Sequence, residues 1–147
     1  MPTKTTSKKK ALEGNPGKRD LTISAPNYTS LLKADPPEYL DQIAKDEFKR
    51  IVPELIKLRI LKIGDLHNIS IYCQAVSNMI QANDHIQQNG FMLTNPLNGI
   101  IYKNPMAGIF NDSQRQILKY SQEFGLTPMS RTKIDIPDVE NDDGMFS

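Results

Sequence analysis

The chain has 147 residues, 38% apolar and 24% charged, with a formal net charge of +1. That length admits one domain with a thin core, and neither a membrane-spanning apolar run nor an export leader is expected, so the protein should stay in the cytoplasm where it is made. A single cysteine, Cys73, and two histidines, His67 and His85, exclude an internal disulfide framework and any metal-ligand spacing, and no cofactor is expected.

The near-neutral total conceals a polar layout. Residues 1–34 carry seven Lys/Arg against two acids, residues 135–147 carry five acids and no base, and the stretch between is nearly balanced. Runs of like charge stay solvated until an opposite charge meets them, so the two ends are expected to meet different partners unless both merely solubilise the chain. The expected organisation is a flexible basic N-terminal arm over 1–34, a helical oligomerisation core with a β-hairpin over 35–134, and an acidic C-terminal tail over 135–147. Within the arm, Asn15-Pro16-Gly17 reads as a turn or extended loop. Gly17-Lys18 is no phosphate loop, because Leu12 stands where its first glycine belongs and Arg19 where a Ser or Thr would hold magnesium.

Pro36-Pro37 closes the linker, and Pro37 suits a first helical turn. Leu40, Ile43, Ala44, Phe48, Ile51, Val52, Leu55 and Leu58 recur at three and four, which predicts an amphipathic helix that Pro53 kinks or divides near residues 50–52. Asp41, Asp46 and Glu47 fall on its solvent side as a charged face. Gly64-Asp65 offers a stop and a new cap, and a second helix runs from about Leu66 to Gln88 before Asn89-Gly90 ends it. Leu66, Ile69, Cys73, Val76 and Ile80 make one stripe on it, and Tyr72, Ala75, Met79, Ala82 and Ile86 an adjoining one. That face is too wide for one helical partner, so the third helix or another subunit must cover the remainder. Cys73 reads as a buried thiol, His67 and His85 as surface or edge imidazoles.

Residues 91–94 and 100–103 predict two strands, with Asn98-Gly99 as the positive-φ pair of a tight hairpin. Two strands alone are marginal in water, so the hairpin must lie on the helices or join a neighbour's hairpin. Asn104-Pro105 then opens a third helix whose buried face is Met106, Ile109, Phe110, Ile117, Tyr120 and Phe124. Gly125, Leu126 and Pro128 match a Schellman-type stop. The fold class is mainly α, with two long antiparallel helices, a short β-hairpin and a third helix.

These residues contain no nucleophile–base pair, no paired carboxylates in an apolar setting and no phosphate loop, so the chain reads as a non-catalytic surface-former rather than an enzyme. For nucleic acid the candidates are Lys4, Lys8, Lys9, Lys10, Lys18 and Arg19 in the arm, with Arg115, Lys119, Arg131 and Lys133 as a second surface. A closed ring needs one patch to meet a different patch on the next copy. The second helix against the first helix and hairpin of a neighbour supplies such a pair, through Phe48, Leu55, Tyr72, Val76, Met79, Ile86 and Ile101.

Four motifs occur in order: Leu12-Glu13-Gly14-Asn15-Pro16-Gly17-Lys18-Arg19, Pro37-Glu38-Tyr39-Leu40, Tyr72-Cys73-Gln74-Ala75, and Phe124-Gly125-Leu126-Thr127-Pro128 with Ser130-Arg131. Together, over about Leu12 to Lys133, they resemble the P27 family of phage terminase small subunits. Tyr39 stands where many relatives have Trp, and Met129 where a small polar residue is common. The resemblance implies a small helical protein that forms a homo-oligomeric ring and binds viral double-stranded DNA at the packaging start site. It also implies that the protein recruits or regulates the large terminase subunit, the ATPase and nuclease, in the cytoplasm of the infected bacterial host. Asp138, Glu140, Asp142, Asp143 and Phe146 in the acidic tail are then assigned to the large subunit by charge and position. Two other readings are a head-completion or adaptor ring, which needs no DNA-selective arm, and a dimeric DNA-binding regulator, which needs no apolar face on both sides.

Overall fold

In the computed structural model, which describes residues 29–134, helix α1 spans Gln42–Lys57 and starts where Asp41 caps it. Asp41 has an extended backbone and its carboxylate accepts the Ala44 N–H at 2.9 Å. The helix therefore begins after Asp41 rather than at Pro37, which lies in a turn closed by the Leu40 N–H. Pro53 does not divide α1. It lies exposed, where water can take the hydrogen bond that its missing N–H denies the Lys49 carbonyl. The helix closes with Arg59 in the left-handed region, the Arg59 N–H donating to the Ile56 carbonyl and the Ile60 N–H to that of Leu55. This is a Schellman stop without its usual glycine.

A 3₁₀ turn (Ile63–Asp65) leads into α2 (Leu66–Asn89). The Asp65 carboxylate accepts the Lys62 N–H at 2.9 Å and so braces the turn instead of capping the helix. At 24 residues, α2 is about 36 Å long and serves as the spine of the molecule. It ends at Gly90, whose φ of 85° suits a residue without a Cβ. Strands β1 (Met92–Thr94) and β2 (Ile101–Lys103) pair antiparallel in the register Met92 to Lys103, Leu93 to Tyr102 and Thr94 to Ile101. Helix α3 (Met106–Glu123) returns along α2, and after the Gly125 turn the single-turn α4 (Pro128–Arg131) follows, capped by Thr127.

Helix α1 runs antiparallel to the first half of α2. There Phe48, Val52, Leu55, Leu61, Ile69, Tyr72, Cys73 and Phe124 form the core. Residues 29–34, assigned from the sequence to the arm, meet this body: Leu31 and Ala34 pack on the core, and Ser30 bridges to Lys62. Burial also pushes the Cys73 thiol up to about 12, which makes it an inert packing group.

Two carboxylates, Asp41 at the cap of α1 and Glu47 within it, are not the solvated face that the pattern predicts. The Asp41 carboxylate accepts hydrogen bonds from Gln74 (2.8 Å), Ser77 (2.8 and 2.7 Å) and Gln81 (3.2 Å) on α2. Glu47 receives Arg50 in a two-point contact at 2.8 and 2.6 Å and the Tyr72 hydroxyl at 3.3 Å. Burial first, and then the Glu47 charge, push the Tyr72 phenol up to about 12. The α1–α2 contact is thus sewn by acids at its polar edge and filled by apolar side chains behind it.

Candidate assembly and nucleic-acid surfaces

The far half of α2 has a different neighbour. There α3 approaches through small buried side chains, Ala75 and Ala82 on α2 with Ala107 and Ser113 on α3, where a large residue would hold the helices apart. Met106 and Phe110 are half-buried, and Ile109 is turned outward at 44% exposure, so the predicted buried face of α3 is only partly enclosed.

Asn104 is the joint of this region and is fully buried. Its backbone N–H donates to the Phe91 carbonyl at 2.7 Å, and its side-chain carbonyl accepts the Met106 N–H at 3.0 Å, which caps α3. Its amide NH₂ donates to the Gly90 carbonyl at 2.8 Å and meets His85 Nδ1 at 3.2 Å. One residue therefore fixes the end of α2, the root of the hairpin and the start of α3. His85 thus lies at an edge, engaged by Asn104.

The hairpin loop is longer than a two-residue turn. The Asn95 N–H donates to the Ile100 carbonyl and the Gly99 N–H to the Asn95 carbonyl, while the Asn95 and Asn98 side chains accept the N–H groups of Leu97 and Ile100. Of the expected pair, only Gly99 has positive φ. This geometry is a four-residue loop in which asparagine side chains stand in for backbone acceptors.

Both faces of the hairpin carry apolar side chains in solvent, Met92 and Ile101 sharing one face with Thr94 and Lys103. Phe91 is 62% exposed, Leu97 93% and Ile101 64%, with Met92, Ile100 and Tyr102 also exposed. Beside it lies a groove of about 370 Å³ between α2 and α3, bordered by Asn78, Ala82, His85 and Ile109. A two-stranded ribbon with this composition needs a partner surface. The signal was present in the sequence as two strands with no polar alternation.

The predicted interface residues divide in two. Phe48, Leu55, Tyr72 and Ile86 are enclosed by this same chain and are unavailable to a neighbour without unfolding. Their helical stripe announced burial without saying against what. Val76 and Met79 are half-buried, with Val76 packed on the core, and Ile101 is fully presented. Phe91, Met92, Leu97, Ile100 and Tyr102 join it as exposed apolar residues that the helical pattern did not single out, and Ile109, which that pattern assigned to a buried face, is exposed with them.

Of the predicted phosphate contacts, Arg115 and Lys119 stand one turn apart on the exposed side of α3, and Arg131 and Lys133 are exposed beyond it. Arg115 pairs with Asp112 at 3.0 Å, both side chains mostly exposed, and Lys119 lies 5.8 Å from the centre of the Tyr120 ring. An exposed pair of this kind is weak and exchanges readily for a phosphate. Lys4, Lys8, Lys9, Lys10, Lys18 and Arg19, and the tail residues Asp138, Glu140, Asp142, Asp143 and Phe146, lie outside the described residues. Among the described residues no group of three His, Cys, Asp or Glu side chains is placed to hold a metal, and no helix is long and apolar enough to cross a membrane.

A family model described as phage terminase, small subunit, matches residues 44–141. The span starts inside α1, includes both the core and the hairpin, and extends into the acidic tail as far as Asn141, whereas it leaves out the Leu12 to Arg19 motif. No curated protein and no solved structure matches the chain. With two thirds of its length inside that match, the chain belongs to the phage terminase small-subunit family, whose general role is in packaging the viral genome.

Proposed function

We propose that the protein assembles into a ring through its hairpin, engages viral double-stranded DNA at the packaging start site, and recruits or regulates the large terminase subunit without itself catalysing a reaction. The exposed apolar hairpin carries this reading. A single chain leaves Phe91, Ile100 and Ile101 in water, and a second copy is the partner always present at equal concentration. In a heterologous contact the hairpin of one copy covers the α2–α3 groove and the Met79 side of α2 on the next. DNA contact falls to the basic arm, Lys4, Lys8, Lys9, Lys10, Lys18 and Arg19, with Arg115, Lys119, Arg131 and Lys133 as a second row. Each contact is weak, and repetition around a ring multiplies them. The acidic tail, Asp138 to Phe146, is the segment offered to the large subunit, and the setting is the cytoplasm of the infected host.

Light scattering on the full chain, with and without DNA from the packaging region, tests this reading. The expected result is a discrete high oligomer that takes up this DNA, and Ile101→Glu should lower the mass with helix content unchanged. Unchanged mass in that variant removes the hairpin from the interface. A ring indifferent to DNA identifies an adaptor, and a dimer binding a short site identifies a regulator.

A further inference from the structure

A second groove, of about 360 Å³, lies at the opposite end, between residues 32–36 and the outer side of α1. Pro53 and Ile56 form its accessible floor above the buried Phe48 and Val52, and Leu32 stands on its wall at 95% exposure. Its rim is basic, with Lys33, Lys49 and Lys57. Lys33 and Lys57 hold only exposed pairs, with Asp35 at 3.5 Å and Glu54 at 2.7 Å, and no carboxylate partner of Lys49 is found among the described residues. An apolar floor ringed by exchangeable lysines fits a segment that alternates acids with apolar side chains.

We propose that this groove docks the chain's own C-terminal segment, residues 135–147. That segment carries five acids, no base, and the apolar residues Ile136, Val139, Met145 and Phe146. The other segment outside the described residues, 1–28, carries six Lys/Arg against two acids, and the basic rim repels it. Reach is sufficient. Ile134 packs at Gly125, next to Leu126, which lies on the same core as Phe48 and Val52. Thirteen residues extend to at most about 45 Å, enough to cross a domain of this size. Docked, the tail is stowed against its own body; released, it is free for another partner, so occupancy of the groove sets its availability. This docking does not depend on ring formation or on DNA binding.

The chain contains no tryptophan, so Phe146→Trp in the full chain is a single clean reporter. Its emission should be blue-shifted and shielded from acrylamide relative to a free peptide of residues 135–147 carrying the same change. Adding Lys49→Glu and Lys57→Glu, both at exposed positions, should return the emission to the free value while the far-ultraviolet helix signal is kept. Free-peptide emission in the parent, or emission unmoved by the charge reversals, overturns the proposal. Carbodiimide coupling of mixed ¹⁴N and ¹⁵N chains supplies the second arm, with tail carboxylates expected to join Lys33, Lys49 or Lys57 within one isotope. No coupling to those three lysines overturns the groove, and coupling only between isotopes overturns docking within the chain.

Discussion

The two ends of the α2 spine are built on opposite principles. At the α1 end, large apolar side chains (Phe48, Leu55, Ile69 and Phe124) are enclosed, and the acids Asp41 and Glu47 fasten the edge. At the hairpin end the buried residues are mostly small, with Ile86 the large apolar exception, one asparagine holds three elements, and the large apolar residues of the hairpin face outward. The first arrangement stabilises a chain on its own. The second leaves large apolar side chains in solvent, so fold stability and the proposed assembly surface lie in different halves of one helix.

The sharpest way to test that division is to remove volume from the closed end. Phe48→Ala deletes a ring that is 1% exposed, and should destabilise the chain by about 3–5 kcal/mol in chemical denaturation. A comparable loss from Ile101→Glu at the hairpin end would abolish the distinction. Asn104→Ala should cost about 2–3 kcal/mol, since it removes the α3 cap on the Met106 N–H and takes from the Gly90 carbonyl its side-chain donor. Amide exchange should place that loss first in residues 90–107, with the α1–α2 contact protected. Uniform loss of protection would show instead that the hairpin end is part of a single cooperative unit.

Asp41 probes the seam between α1 and the middle of α2. Desolvation raises its carboxyl, but hydrogen bonds from the Ala44 N–H, Ser77, Gln74 and Gln81 outweigh that and hold it below its ordinary value of 3.8. Its stabilising contribution is therefore complete above that value and is lost as pH falls through the lowered one. Asp41→Ala should cost about 2 kcal/mol at neutral pH through the lost cap and the orphaned Ser77 hydroxyl. Asp41→Asn, which still caps, should cost less and should flatten the acid limb of the stability curve. An acid limb unchanged by Asp41→Asn would assign it to other carboxylates.

Where the chain's own chemistry is local, the sequence was legible. Asn89-Gly90, Asn104-Pro105 and Gly125-Leu126 marked helix ends because a positive φ or a cap is decided by one or two residues. Asp41 was misread because its partners are 33 to 40 positions away on another helix, and an acid on a helix edge looks solvated until that helix is placed. The burial of the residues proposed for an interface was half legible for the same reason. Periodicity reported that Phe48 and Leu55 are buried, and only the fold shows that the same chain buries them, whereas Ile101 and its neighbours stay uncovered.

Arg59 offers the smallest and most local test of the closed end. It holds φ of 54° in the stop of α1, although no Gly or Asn marks the position. A side chain in that region is disfavoured by roughly 1 kcal/mol, and glycine relieves the clash while adding freedom to the unfolded chain. Arg59→Gly should therefore stabilise by a few tenths to about 1 kcal/mol, read as a rise in the denaturation midpoint with an unchanged slope. The residue is exposed, so packing contributes little to the difference. Stabilisation would place the strain in the closed end, which has core enough to hold a left-handed arginine; a loss would mean that the arginine side chain contributes a contact greater than the backbone penalty.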